Sequence, residues 1–261
     1  MKDLTVVILA GGRGTRIADE NETRPKPLLE IGGKPILWHI MKQYSYYGVN
    51  KFVICLGYKG NQIKDYFSNY FLRTSDITFD FKKNKTIIHN KYTEPWVVTL
   101  IDTGNDSMTG GRIKRIKKFV KDDNNFFMTY GDGVSNINIK KLYEFHLKHK
   151  KIATITAVRS PARFGSMKIT KDMEVKSFVE KPFNEQGFIS GGFFVLNKKV
   201  LKYLEDDNTI FEDHTLNKLT SLGQLQAYKH EDFWQPMDTL KDKNFLEYLW
   251  KNNQAYWKKW K

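Results

Sequence analysis

The sequence predicts an α/β fold, a mixed but mostly parallel sheet flanked by helices, and three observations predict it. Apolar strand-like runs alternate with amphipathic segments through the first half. A glycine-rich turn follows the first of these runs, and neither a low-complexity linker nor an internal repeat divides the 261 residues. Strands joined through helices return to the same end of a sheet, so they run parallel and are covered on both faces.

The elements follow in order. LTVVIL (4–9) reads as a strand, 36–47 as a helix, KFVICL (51–56) as a strand and 60–71 as a helix, a βαβα opening. Short β-rich runs follow (DITFDF, KTIIHN, VVTLID), then a basic helical segment over 111–120 and the strand NFFMTY ending in Gly131-Asp132-Gly133. After a helix over 138–150 the chain is richer in strands: KIATITAV, SMKIT, EVKSFVE and ISGGFFVLN. Helices resume over 198–204 and 209–222, LQAYKH is a further strand, and 238–250 carries apolar residues at helical spacing before a tail rich in Trp and Lys.

Composition narrows the function. With 40% apolar residues, 18 Phe, 13 Tyr and 6 Trp the chain has the aromatic area to offset its ordering entropy, and its length suits one domain. The single cysteine, Cys55, excludes an internal disulfide and lies in an apolar run, which favours packing over catalysis. No run is as long as a membrane span, and the first apolar run is too short for a signal peptide, so a cytoplasmic protein is expected. The formal charge of +14 is spread in short groups such as IKRIKKFVK and WKKWK. With no helix-turn-helix, zinc-finger or RNP pattern, a solvated basic surface is favoured over a nucleic-acid face.

Three motifs carry chemistry. In LAGGRGTR the glycines let the backbone approach a polyphosphate, while Arg13 and Arg16 neutralise its charge; a plain strand-to-helix turn is the simpler reading, but it has little use for two arginines. The spacing fits neither GxGxxG nor GxxxxGK[ST]. Arg24-Pro25-Lys26-Pro27 fixes a lysine between two prolines, predicting a stiff extended segment that suits a phosphate. Gly32-Gly33 is a turn before a helix in which His39 is expected to be structural. Asp132 falls at the carboxyl end of a central strand, where ligands bind in open α/β sheets; it serves either as a turn residue or as a carboxylate for a divalent metal.

LAGGRGTR, RPKPLLEIGGKPILWHI, YGDG, VEKP, GGFFVLN and FWQPMDTLKDK together resemble the sugar nucleotidyltransferases over nearly the whole chain. EPWVVTLIDTGNDSMTGGRIKR and NYFLRTSDITFDF resemble the cytidylyltransferase branch that acts on glucose 1-phosphate. The resemblance implies a Rossmann-like nucleotide-diphospho-sugar transferase fold over 1–261, with 1–135 mainly binding nucleotide and 136–261 mainly binding sugar phosphate. It implies CTP and a sugar 1-phosphate as substrates, Mg²⁺ as cofactor, and a homo-oligomer.

It also assigns residues. Leu9, Ala10, Gly11, Gly12, Arg13, Gly14, Thr15 and Arg16 would hold the nucleotide, with Arg16 and Lys26 at the reacting phosphates as the catalytic pair. Ser107, Thr109, Gly110 and Arg112 would lie on the nucleotide side with Gly131 and Asp132. Asp132 and Asp238 would hold the metal, and Gly165, Glu180, Lys181 and Gly192 the sugar phosphate. Val97, Ser190 and His214 depart from the pattern of the branch. They are expected to cluster toward the sugar, leaving the acceptor less fixed than the nucleotide. Competing readings are a dTTP- or UTP-using relative, another phosphorylated acceptor, a catalytically idle nucleotide-binding regulator, or a basic nucleic-acid binder. The aromatic tail, Tyr256, Trp257 and Trp260, either contacts another subunit or covers the chain's own core.

Overall fold

β1 (Thr5–Leu9) is buried along its whole length, because a parallel strand covered on both faces has no polar side. The computed structural model describes residues 1–14, 24–91, 93–159, 166–170, 174–179 and 187–260. After β1 come a single 3₁₀ turn (Lys26–Leu28), a tight hairpin of β2 (Glu30–Ile31) and β3 (Lys34–Pro35), and α1 (Ile36–Tyr46). Next are β4 (Lys51–Leu56), α2 (Gly60–Ser68), α3 (Tyr70–Thr74), β5 (Ser75–Asp80), β6 (Lys85–Lys91) and β7 (Val97–Asp102). α4 (Thr109–Arg115), α5 (Lys117–Val120), β8 (Asn125–Tyr130), β9 (Gly133–Ser135) and α6 (Ile139–His149) follow.

The remainder contains β10 (Ala153–Arg159), β11 (Ser166–Ile169), β12 (Val175–Val179), β13 (Phe188–Asn197), a 3₁₀ stretch (Lys198–Tyr203) and a π-helical turn (Phe211–Thr215). α7 (Leu216–Ser221), β14 (Leu225–His230), β15 (Trp234–Pro236) and α8 (Leu240–Lys251) complete it.

Seven strands form the main sheet in the order β14-β10-β13-β8-β1-β4-β7, so strands from both halves of the chain share it. β13 runs antiparallel to both neighbours and every other pairing in this sheet is parallel. In register, Leu9 lies beside Cys55 and Tyr130, which brings the carboxyl ends of β1, β4 and β8 to one edge.

The alternation of β1 splits the core. Val6 and Ile8 face α1 and the buried Trp257, while Val7 and Leu9 face Ile113, Phe211 and Leu219. Trp257 is fully buried and Trp260 packs on the same cluster, so these tail residues cover the chain's own core; Tyr256 is half exposed. Cys55 is buried, and burial pushes its thiol up to about 12, in keeping with a packing role. Among the described residues no helix is long and apolar enough to cross a membrane.

The structure revises several elements. Lys26 is not on an extended segment: Pro25 and Pro27 supply φ values that suit the entry of a tight helical turn as well as an extended chain. DITFDF and KTIIHN pair with one another as a separate hairpin outside the main sheet. Residues 209–222 begin irregularly, with Thr209 Oγ1 accepting from the backbone N–H of Glu205 and Asp206, before the π-helical turn.

Candidate active site

The glycine-rich loop leaves β1 against the ends of β4 and β7. Ala10 donates its backbone N–H to Cys55 (3.0 Å), and Gly11 accepts from Tyr58 (3.2 Å). The buried Arg112 holds this junction from below. Its Nη1 donates to Leu56 O (3.1 Å), Thr103 Oγ1 (2.8 Å) and Gly104 O (2.7 Å), and its Nη2 donates to Gly11 O (3.1 Å) and Asn105 O (3.3 Å). Burial lowers its affinity for the proton from the usual arginine value. A Cβ on Gly11 would lie 2.2 Å from Nη1, so the loop reaches this guanidinium only as glycine. Arg13 pairs with Asp106 at 3.0 Å on the exposed rim.

A cavity of about 180 Å³ opens above this floor, lined by Leu9, Ala10, Gly11, Gly12, Gly14, Lys26, Pro27, Thr109, Arg112, Tyr130, Gly131 and Asp132. Gly110 follows Thr109 in α4, packed on the backbone of Thr209, and Ser107 is buried without lining the cavity. Thr15, Arg16, Gly165, Glu180 and Lys181 lie outside the described residues.

At one end of the cavity the Lys26 ammonium lies 2.7 Å from Asp132 Oδ2 and 2.7 Å from Asp238 Oδ1. Burial opposes its charge, but Asp132 and then Asp238 outweigh burial and hold its proton more tightly than usual. The two carboxylates meet through backbone pairing. Gly131 donates to Leu9 O (3.0 Å), Met237 donates to Asp132 O (2.8 Å), and β9 pairs antiparallel with β15. A capping box between Thr239 and Asp242 starts α8 just beyond Asp238.

Two carboxylate oxygens converging on one cationic nitrogen fit the residues to a divalent metal. Mg²⁺ is commonly held by one or two carboxylates with water and substrate phosphates supplying the rest. Among the described residues there is no cluster of three His, Cys, Asp or Glu side chains that holds a metal unaided, so phosphate oxygens would have to complete the set.

A second, roomier cavity adjoins the first and shares Tyr130 and Asp132 with it. Gly133, Ser190, Gly191, Gly192, Trp234 and Asp238 are among its walls. Gly192 has φ +75°, and a Cβ there would meet the Tyr130 ring at 2.6 Å. Trp234 is fixed by an indole N–H to Gly191 O bond of 2.7 Å. Ser190 accepts from the backbone N–H of Gly192 at 3.3 Å. The expected clustering of the three departures is corrected here. His214 accepts from Ile210 N–H at 2.9 Å and lines neither cavity, and Val97 is exposed at the amino end of edge strand β7.

Tyr130, Trp234 and Glu212 join the site without a sequence motif that assigns them to it. Tyr130 is the last residue of its strand, where a large side chain before Gly-Asp-Gly is a usable signal. Glu212 offers none, since only folding brings it to Thr109 and Tyr130.

A profile described as nucleotidyl transferase matches residues 5–257. The chain is 53% identical over 257 residues to the glucose-1-phosphate cytidylyltransferase of Salmonella typhimurium, covering 98% of this chain and all of that one. Among solved structures it resembles HddC from Yersinia pseudotuberculosis, also solved with GMP-PN, with a TM-score of 0.69 at 28% identity over 95% of this chain and 99% of that one. A UDP-glucose pyrophosphorylase complexed with UDP-glucose shares the fold, with a TM-score of 0.67 at 15% identity over 96% of this chain and 99% of that one.

Proposed function

The chain belongs to the nucleotidyl transferase family, and on that premise we propose that it transfers CMP from CTP to a sugar 1-phosphate, α-D-glucose 1-phosphate above others, releasing pyrophosphate. The observation that carries this reading is the Lys26 ammonium between Asp132 and Asp238, at the seam of two cavities that share Asp132 and Tyr130. One cavity is floored by a glycine loop suited to phosphates; the other is the natural place for the acceptor.

A sugar phosphate oxygen attacks the α-phosphorus in line with the departing pyrophosphate, and a phosphate dianion is a nucleophile without a general base. Two polyanions must be held together against their repulsion, which is a task of positioning and positive charge. Residues 9–16 would cradle the triphosphate through backbone N–H groups, with Arg16 and Lys26 neutralising the reacting phosphates. Ser107, Thr109, Gly110 and Arg112 would shape the nucleotide end, Gly131 the ribose side, and Gly165, Glu180, Lys181 and Gly192 the sugar phosphate. Asp132 and Asp238 would hold Mg²⁺, which when bound supplies positive charge to the phosphates.

We extend this reading to a cytoplasmic homo-oligomer that supplies a CDP-sugar to bacterial surface polysaccharide synthesis, such as O-antigen, with neither nucleic acid nor membrane as partner. Pyrophosphate release across four nucleoside triphosphates and a panel of sugar 1-phosphates with Mg²⁺ tests the reading. CTP with glucose 1-phosphate is expected to turn over fastest, and release from no pair would sink it.

A further inference from the structure

We infer that Glu212 is a positioning residue that sets the nucleotide and acceptor cavities against each other. This rests on the nucleotidyl-transfer reading and adds a residue to it. One carboxylate oxygen of Glu212 accepts from the Tyr130 hydroxyl, and the other accepts from Thr109 Oγ1 at 2.6 Å. Thr109 lines the first cavity, and Tyr130 lines both. One side chain therefore fixes a hydroxyl on the nucleotide side and the ring that separates the two binding spaces.

The surroundings make this bridge a built feature. Thr109 Oγ1 also accepts from Phe211 N–H at 2.9 Å, which occupies a lone pair and leaves its one proton directed at Glu212. The segment before the carboxylate is tied to the start of α4: Met108 donates to Asp207 O (2.8 Å) and Gly110 to Thr209 O (2.8 Å). Gly110 and Gly111 permit that approach, since a Cβ on either would fall within 2.7 Å of the 207–209 backbone. On the far side Tyr130 leaves no room for a side chain at Gly192. A shift of its ring would thus be felt in the acceptor cavity as well as beside Asp132.

Glutamate suits this position because an ionised carboxylate accepts on both oxygens at once, and such bonds are the stronger kind. Alanine leaves two hydroxyls without their acceptor. Glutamine keeps the length and one acceptor oxygen, and its amide can donate to the other hydroxyl.

The test is steady-state kinetics of pyrophosphate release with each substrate varied in turn, beside thermal unfolding, for the wild type and Glu212→Ala, Glu212→Gln and Tyr130→Phe. Glu212→Ala is expected to raise KM for both CTP and the sugar phosphate about tenfold. Its kcat should change much less, and Glu212→Gln should recover most of the loss. A folded Glu212→Ala enzyme with both KM values at wild-type level overturns the inference, even if its melting temperature has dropped. If Glu212→Ala does not fold, Tyr130→Phe decides, because it cuts one arm and leaves the carboxylate in place. Unchanged KM values there overturn the inference, and a rise in both supports it. A wild-type enzyme that turns over no substrate pair fails the underlying reading, and that failure is visible without any variant.

Discussion

The indole N–H of Trp257 donates to Nδ1 of His39, 3.3 Å away and 218 residues earlier in the chain. Because Nδ1 accepts, the ring proton sits on Nε2, which donates to Ile31 O at 2.8 Å. Burial lowers His39 from 6.5 to about 4, and His146 is likewise lowered to about 4 by burial and then by its neighbour His149. Between pH 6.5 and 4 the unfolded chain binds more protons than the folded one. The stability due to these neutral rings is therefore complete above 6.5 and lost as pH falls toward 4. His39 is expected to account for about 3 kcal/mol of that loss. Denaturant unfolding across the window checks it, and His39→Gln, which can keep both hydrogen bonds, should flatten the slope.

Lys26 stands where the metal is proposed to sit. Lys26→Met should lower kcat on the order of a hundredfold or more. It should also tighten Mn²⁺ binding measured by paramagnetic resonance without nucleotide, since no ammonium then competes for Asp132 and Asp238. A near-normal rate would remove Lys26 from the machinery.

Arg112 spends its guanidinium on four carbonyls and a hydroxyl. Lysine has three donors and no fork, so Arg112→Lys should cost on the order of 2 kcal/mol of stability and raise KM for CTP. Thermal unfolding and nucleotide titration read the two effects, and an unchanged melting temperature counts against the keystone role.

Ser190 lines the second cavity and not the first. Ser190→Asn is expected to change KM for the sugar phosphate severalfold or re-rank the acceptors, with KM for CTP held. Parallel acceptor and CTP saturation curves decide; a change confined to CTP would contradict the division between the cavities.

The central strands of the main sheet were legible because burial on both faces writes them as continuous apolar runs, as in KFVICL and NFFMTY. The glycine loop and Asp132 were legible from their place at strand ends. The 3₁₀ turn at Lys26 was not, because proline fixes φ and leaves ψ open. β9 and β15 are three residues each and stabilise one another across a hundred residues, so neither carries a pattern of its own. Glu212 and Tyr130 share the same difficulty: their relation exists only after the second half of the chain has closed over α4.

β13 lies between β8 and β10, although the chain makes both of those first. During synthesis β8 is complete at residue 130, and its neighbour is finished only at residue 197. At the usual pace of translation that interval is on the order of ten seconds. Throughout it the six-residue apolar strand β8 has one edge without its native partner. A ribosome stalled inside that window would hold a nascent chain primed to aggregate, which makes the pace of elongation between those residues, as much as the finished fold, a determinant of yield.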